Sequence, residues 1–199
     1  MLPILFGYLA GSVPFAFLLA RRAGIDVRVA GSGNVGAANV LRTTGAWRGV
    51  LVMALDVAKG AAAVLLVHPA GGASVAALTG AAAIVGHIYP VWLRFHGGKG
   101  VAVAAGVFGV LAPAATMLAA AVFFAAAAGT RVVSLGSVVA TVTLPSVAWL
   151  TGAPTPVFVA AIGTGVLILF RHRANIRRIL TGTERRLARA TRSAEGREG

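Results

Sequence analysis

The chain has 199 residues, a mean hydropathy of +0.86 and 12% charged residues, which exclude a soluble or disordered domain and indicate an integral membrane protein. Its 18 Lys and Arg against 5 Asp and Glu give a net charge of +13, and this excess fits basic loops beside an anionic bilayer rather than a nucleic-acid partner. The absence of cysteine excludes disulfides and cysteine-ligated metals.

Seven membrane-spanning helices are predicted from apolar segments that approach the roughly 20 residues a bilayer crossing requires. Five are single runs, at 1–20, 48–68, 72–92, 132–150 and 154–170. The run at 100–129 is too long for one straight span, and basic residues flank both of its ends. It is therefore expected to cross twice, through two short or tilted helices that turn near Leu111–Ala114. The predicted fold is an all-α integral membrane protein with about seven transmembrane helices.

Loop charge predicts the orientation of these spans. All basic residues except Arg48 and Lys59 fall in 21–47, 93–99, 130–131 and 171–199, whereas the turns at 69–71, 112–113 and 151–153 hold none. The positive-inside rule then places the N-terminus outside and the C-terminus in the cytoplasm. Residues 1–175 are expected to form a single transmembrane domain with an active site on its cytoplasmic face. Residues 176–199 are expected to form a basic, amphipathic and disordered tail.

The first polar string (31–42) reads GSGNVGAANVLR and matches G-x-G-x-x-G literally. A dinucleotide site is not expected, because that motif needs a βαβ unit. Glycines still let backbone N–H groups approach an anion, and a helix beginning near Val35 would add its positive end. The alternative is a flexible loop with a helix cap. Phosphate binding is expected from Gly31, Ser32, Gly33, Asn34, Gly36, Asn39 and Arg42.

The second polar string (86–100) reads GHIYPVWLRFHGGKG and ends in glycines around one lysine. It lacks the spacing of a Walker A loop and the Ser or Thr after the lysine, so ATP binding is unsupported. Gly97, Gly98 and Lys99 at a helix start nonetheless predict a tight anion pocket. The alternative is a lysine that snorkels to the membrane edge.

Two further groups lie near the expected cytoplasmic face. Arg131, Ser134 and Ser137 recur every third residue and would share a helix face, although such serines often bond only to their own backbone. The third polar string (171–184) reads RHRANIRRILTGTE. It places His172 and Asn175 on one face, with His172 as phosphate ligand or general base. The alternative for His172 is an interfacial position among positive-inside charges.

Asp56 and Lys59 lie inside the second predicted span, three residues apart. An ionisable residue near the bilayer centre costs about 2.5–3.5 kcal/mol, and a mutual ion pair would offset much of that cost. A supporting role is expected, with a purely structural pair and a direct substrate role for Lys59 both open. His68 and His87 are apart and carboxylate-poor, and acidic residues are scarce, so no metal site is expected.

Together these segments resemble the bacterial membrane glycerol-3-phosphate acyltransferases that use acyl phosphate as donor. That family carries G-S-G-N-x-G-A-T-N, G-H-x-F-P…F-K-G-G-K-G, R-x-x-S-x-x-S and R-H-x-x-N-I-x-R…G-x-E, and all four segments occur here in that order. The departures are Ala38 for Thr, Tyr89 for Phe, His96 for Lys and Ala174 for an acidic residue.

The resemblance implies acyl transfer from acyl phosphate to the 1-hydroxyl of glycerol 3-phosphate, which yields lysophosphatidic acid and inorganic phosphate as the first step of phospholipid synthesis. It implies no cofactor, a location in the bacterial cytoplasmic membrane and coupling to an acyl-phosphate-forming enzyme. A monomer is expected. The alternative is a small transporter of an organic phosphate or lipid, but the polar residues crowd one face, which favours an enzyme. The expected catalytic residues are Ser32, Arg42, Lys99, His172 and Asn175.

Overall fold

The structure is a computed structural model that describes residues 1–187, without the side chains of residues 68–70. Residues 188–199, the end of the predicted tail, lie outside the described residues. The described part is helical and contains no strand. Its α-helices are α1 (Leu2–Ser12), α2 (Phe15–Arg21), α3 (Ala37–Thr44), α4 (Ala46–Leu65), α5 (His68–Ile88), α6 (Val101–Leu111), α7 (Pro113–Thr130), α8 (Val133–Leu150), α9 (Thr155–Arg171) and α10 (Arg173–Leu180), and a short 3₁₀ turn spans Val91–Leu93.

Four helical segments are long and apolar enough to cross a membrane. A fifth is added if α9 and α10, which are bent by 62°, count as one broken span. The 20-residue α4 carries three charged side chains and the apolar α6 has only 11 residues, so neither is among the four. The protein is therefore an all-helical, multi-pass membrane protein. The four segments are Leu2–Arg21, Gly71–Leu93, Pro113–Thr130 and Val133–Leu150.

The long apolar run at 100–129 forms two helices, with only Ala112 between them. The chain turns there because Pro113 is the first residue of α7, where its missing N–H costs no helical hydrogen bond. The predicted turn is confirmed. The expectation of two short helices is wrong for α7, which has 18 residues.

Glycines let the helices approach closely. A Cβ on Gly11 of α1 would overlap the Ala83 backbone of α5, and a Cβ on Gly106 of α6 would overlap the Val57 carbonyl of α4. Helix association in membranes depends on such small residues, because lipid gives little hydrophobic driving force. The core includes Phe108, which is fully buried. This packing brings the ends of α4, α5, α6 and α9 together.

The third polar string continues the bundle rather than leaving it. α10 runs from Arg173 to Leu180 and packs against α8 and α9. Further on, the Leu187 N–H donates to the Arg131 carbonyl at 2.8 Å. The domain boundary expected at 175/176 therefore does not correspond to a break in the structure.

Candidate active site

A cavity of about 1570 Å³ lies where the three polar strings meet. Further in, its wall consists of apolar side chains from α6 to α9, such as Phe108, Phe123 and Leu144. Gly31, Lys59, Gly98 and Arg131 are not in this wall. The predicted residues that line it are Ser32, Gly33, Asn34, Gly36, Asn39, Arg42, Asp56, Gly97, Lys99, Ser134, Ser137, His172 and Asn175.

A hydrogen-bonded network surrounds Lys99. Its ammonium donates to Asn175 Oδ1, and Asn175 Nδ2 donates to Glu184 Oε1 at 2.7 Å. The same oxygen accepts from Ser134 Oγ at 3.0 Å, and Arg178 Nε donates to Glu184 Oε2 at 2.7 Å. Glu184 therefore organises the polar end of the cavity.

Sequence reasoning missed Glu184 and Arg178 as site residues. The available signal was that Glu184 ends the third polar string, in a G-x-E segment shared with the resembling family. The sequence places Glu184 in the predicted tail, because nothing in the local sequence shows that the chain turns back after α10. The turn at Thr181 and Gly182, with Gly182 at φ +71°, brings the carboxylate back to the cavity.

The electrostatics of the cluster follow from burial and from neighbouring charges. Burial lowers the pKa of Lys99 to about 8, with the nearby Glu184 carboxylate opposing this shift and the guanidinium groups of Arg178 and Arg42 contributing to it. Burial also lowers the pKa of Arg42 below the usual arginine value. Burial would raise the pKa of Glu184, but hydrogen bonds from Arg178, Asn175 and Ser134 outweigh it, and the pKa is lowered. An anion at this end would relieve the repulsion among the cations.

His172 sits at the bend between α9 and α10 and is only 2% exposed. Its Nδ1 lies 2.8 Å from the Ile168 carbonyl oxygen. Because a carbonyl can only accept, Nδ1 carries a proton, and Nε2 of the neutral ring holds a lone pair. The ring is thus oriented for contact with a substrate hydroxyl or phosphate in the cavity that His172 lines.

The loop of the first string is held from within by Asn39, which is 1% exposed. Asn39 Oδ1 accepts the Ser32 N–H at 2.8 Å, and its Nδ2 donates to two carbonyls of the preceding segment, each at 3.0 Å. The N–H groups of Gly33 and Gly36 donate to other backbone carbonyls. The N–H groups of Gly33 and Gly36 are therefore already bonded within the protein, the Ser32 side chain is exposed, and phosphate binding by this loop stays a prediction.

Gly97 and Gly98 pack against the end of α5, and their N–H groups are bonded within the protein. Their N–H groups donate to the carbonyls of Ile88 and His87, both at 3.1 Å. A Cβ on Gly97 would overlap the His87 carbonyl, and one on Gly98 would overlap the His87 ring. Close contact with the end of α5 thus places Lys99, and anion binding at these two glycines stays a prediction.

Arg131, Ser134 and Ser137 make different contacts in the structure. Ser134 donates to Glu184, as described above, whereas Ser137 Oγ donates to the Val133 carbonyl at 3.0 Å. Ser137 thus makes the backbone bond that was the alternative for both serines. Arg131 adopts a left-handed conformation (φ 61°) after α7 and lies outside the cavity wall.

Asp56 and Lys59 form the expected ion pair, with Lys59 Nζ 2.7 Å from Asp56 Oδ1. His87 Nδ1 lies 3.6 Å from the same oxygen. The description of His87 as carboxylate-poor is therefore wrong, because its partner is 31 positions away in sequence and on another helix. Lys59 does not line the cavity, so its position fits a structural pair better than direct substrate contact.

Comparisons with known proteins agree with this architecture. A family model described as "Glycerol-3-phosphate acyltransferase" matches residues 1–182. Over 187 residues the chain is 44% identical to the glycerol-3-phosphate acyltransferase of Rubrobacter xylanophilus, covering 94% of each chain. It is 47% identical over 179 residues to that of Roseobacter denitrificans, covering 89% of each. The crystal structure of PlsY (YgiH), an integral membrane glycerol 3-phosphate acyltransferase, in its glycerol 3-phosphate form matches with a TM-score of 0.90 and 41% identity over 94% of each chain. Its lysophosphatidic acid form matches with a TM-score of 0.88 at the same identity and coverage.

Proposed function

Because the chain belongs to the glycerol-3-phosphate acyltransferase family, we propose that it transfers a fatty acyl group from acyl phosphate to the 1-hydroxyl of glycerol 3-phosphate. The products are lysophosphatidic acid and inorganic phosphate, and the reaction is the first step of phospholipid synthesis. The observation that carries this proposal is a single cavity with a cationic cluster at one end and an apolar groove beyond it. The relatives compared above are acyltransferases, so the transporter alternative finds no support among them.

The cationic end suits two phosphate groups, each of which carries about −1.5 to −2 charges near neutral pH. Ser32 and Lys99 hold one of them. The other is held by Arg42 and Asn175, and His172 Nε2 accepts a hydrogen bond from a protonated phosphate oxygen or from the substrate hydroxyl. Burial strengthens these contacts, because water screens charges less inside the cavity. Ser137 Oγ can accept a hydrogen bond from a substrate hydroxyl, since its own proton already bonds to the Val133 carbonyl.

The apolar groove suits a long acyl chain. From His172 to Ala161, both in the wall, α9 advances 11 residues, which is roughly 16 Å at 1.5 Å per residue. The volume of about 1570 Å³ exceeds the roughly 300–1,000 Å³ of ordinary small-molecule sites. The alanine-rich face of α7 leaves this space open.

The chemistry needs no covalent enzyme intermediate, because the acyl group arrives activated. The glycerol hydroxyl oxygen attacks the acyl carbonyl carbon, the new ester C–O bond forms, and the bond from that carbon to the phosphate oxygen breaks. The hydroxyl proton passes to a substrate phosphate, with His172 Nε2 as the rival acceptor. The cation that holds the acyl phosphate group, Lys99 or Arg42, stabilises the charge on the departing phosphate. Positioning and charge stabilisation supply most of the acceleration.

The His172→Gln substitution distinguishes between the two candidate proton acceptors, a substrate phosphate and His172. Glutamine can hydrogen-bond a phosphate but cannot act as a base near neutral pH. If a substrate phosphate takes the proton, turnover at saturating substrates should stay within about tenfold of wild type. A loss of about 10²–10⁴-fold, the usual contribution of a general base, would instead assign that role to His172.

In the membrane, the proposed arrangement has seven spans, the N-terminus outside and the active site at the cytoplasmic face of the bacterial cytoplasmic membrane. Basic residues accumulate at the ends of the helices that carry the cavity, as the positive-inside rule requires. The protein acts as a monomer and receives its donor from an acyl-phosphate-forming enzyme. Because the chain lacks cysteine, single cysteines at Thr151 and Thr183 can be labelled by an impermeant reagent. Labelling of Thr183→Cys from outside intact cells would overturn this topology.

The test of the reaction is single-turnover conversion of labelled glycerol 3-phosphate by the purified protein, offered palmitoyl phosphate or palmitoyl-CoA. Lysophosphatidic acid should form only with palmitoyl phosphate. Lys99→Met is the negative control, because it removes the central cation while keeping much of the side-chain volume. No product from palmitoyl phosphate with folded wild-type protein, or equal activity of Lys99→Met, would contradict the proposal.

A further inference from the structure

A buried cluster of ionisable side chains lies beside the cavity, on α4 and α5. Asp56, Lys59 and His87 expose only 1%, 8% and 8% of their surfaces. Lys59 Nζ lies 2.7 Å from Asp56 Oδ1 and 3.1 Å from His87 Nδ1. Asp56 and His87 also border the substrate cavity. The cluster is thus distinct from the phosphate-binding groups but adjoins the same space.

Lys59 Nζ has three polar contacts, the ion pair with Asp56 among them. Besides Asp56 and His87, it donates to the Val13 carbonyl at 2.8 Å, at the break between α1 and α2. Because an ammonium group only donates, His87 Nδ1 must accept, and the proton of the neutral ring lies on Nε2. Lys59 Nζ also lies 5.5 Å from the ring centre of Phe15, the first residue of α2. Lys59 therefore joins the broken first segment to α4 and α5.

The Nε2 side of the His87 ring touches the loop that carries Lys99. A Cβ placed on Gly98 would overlap His87 Nε2 and come within 2.8 Å of the Val35 carbonyl oxygen. The Gly98 N–H is in turn bound to the His87 carbonyl at 3.1 Å. Gly98 thus packs between the His87 ring and the first polar string, one residue before Lys99.

We infer that Asp56, Lys59 and His87 form a positioning unit, which places Lys99 and the first polar string for the reaction. This inference rests on the proposed function and deepens it. Lys59 contacts the break between α1 and α2 as well as α4 and α5. The ring of His87 then contacts Gly98 directly and connects this cluster to the Lys99 loop. The three residues act through Gly98 and Lys99 and are positioning residues.

Stability alone does not account for this cluster. Burying an ion pair is costly, and its replacement by apolar side chains of similar volume is often neutral or stabilising. An apolar trio would therefore support the same helix packing. Hydrogen bonds add orientation, because the bond from Lys59 to Nδ1 turns Nε2 of the His87 ring toward Gly98.

The His87→Asn substitution tests whether the ring positions the Gly98 loop, while it keeps an acceptor for the buried Lys59 ammonium. Asparagine Oδ1 can replace Nδ1 as the acceptor for Lys59, whereas the ring edge that touches Gly98 is removed. Thr79→Val is the matched control, because Thr79 is also buried on α5 and lies eight residues away, roughly 12 Å along the helix. Both substitutions change a buried polar side chain on the same helix.

Three quantities are measured on the full-length protein. The first is kcat and KM for glycerol 3-phosphate with palmitoyl phosphate, and the second is the thermal unfolding temperature. The third is the rate at which an amine-reactive reagent modifies Lys99, followed by peptide mass spectrometry. Lys59 and Lys99 are the only lysines in the sequence, so the Lys99 signal is unambiguous. It also reports on the loop without any catalysis.

His87→Asn should lower kcat by about tenfold or more, because small displacements of a positioning group are costly. Lys99 should react several-fold faster, while the unfolding temperature stays within about 4 °C of Thr79→Val. Values of kcat and Lys99 reactivity within twofold of the control would overturn the inference. If His87→Asn does not fold, Asp56→Asn/Lys59→Met removes both buried charges together and decides by the same criteria. Wild-type inactivity with palmitoyl phosphate would contradict the proposed function instead, and the Lys99 reactivity would still test the positioning unit.

Discussion

Glu184→Gln is the substitution that most directly tests the network around Lys99. The carboxylate accepts from Asn175 and Ser134 at Oε1 and from Arg178 at Oε2. A glutamine can keep its oxygen toward Asn175 and Ser134, but its NH₂ group then faces the Arg178 N–H, donor against donor. The reverse orientation loses two acceptor contacts, so the first is favoured.

The magnitude follows from the lost contact. A hydrogen bond to a charged group contributes about 1.5–3 kcal/mol. The Arg178 side chain is 40% exposed, and water screening reduces this to about 1 kcal/mol. For a protein of this size, about 1 kcal/mol lowers the unfolding temperature by about 2–4 °C. The activity should fall further, because without the Arg178 bond the side chain at position 184 no longer holds Asn175, and through it Lys99, in a fixed position, and kcat/KM should drop about 10–100-fold.

The assay is acyl transfer from palmitoyl phosphate to labelled glycerol 3-phosphate, with thermal unfolding measured on the same preparations. Thr183→Val is the matched control, since Thr183 is exposed in the same turn and its hydroxyl contacts Thr181 and the Arg178 backbone. A Glu184→Gln variant with kcat/KM within twofold of Thr183→Val would refute the role of Glu184 in placing Asn175 and Lys99.

Three other predictions concern Lys99, the first polar string and the acyl groove. Lys99 has a pKa of about 8 and loses its charge above that value, so kcat/KM should fall as the pH rises through 8. In Lys99→Arg, kcat/KM should stay constant to higher pH, and an unchanged fall in this variant would exclude Lys99 as the cause of the pH dependence. Asn39→Asp removes the two hydrogen bonds that Asn39 Nδ2 donates. It should destabilise the protein by about 2–4 kcal/mol and raise the KM for glycerol 3-phosphate. An unchanged stability and an unchanged KM would contradict the role of Asn39 in holding the loop. Ala120→Phe narrows the cavity that Ala120 lines and should slow acyl transfer from palmitoyl phosphate more than acyl transfer from octanoyl phosphate. The exposed neighbour in Ala121→Phe should slow neither, and equal effects of the two variants would contradict the groove.

Much of the architecture was predictable from local sequence. Span positions follow from the length of apolar runs, and Pro113 marked the turn between α6 and α7, because such a residue favours the first turn of a helix. The three polar strings were recognisable by composition and spacing. Lys99, His172 and Asn175 could thus be named together before their contacts were known.

Other roles depend on partners far away along the chain. Lys99 meets Asn175 across 76 positions, and Ser134 meets Glu184 across 50. The glycines of the first two strings look alike in sequence as anion-binding loops, yet Gly97 and Gly98 pack against α5. The reason is that their N–H groups find carbonyls only after the helix ends converge.

The sequence by itself therefore determined the membrane helices, the clustering of basic loops and the residue types available for binding phosphate. Hydrophobic length and charge act locally, so composition alone reveals them. Only the tertiary structure decided which polar atoms face the cavity and which hold the protein together. That division depends on the close approach of helices, which joins Asp56 to His87 and returns Glu184 to the cavity.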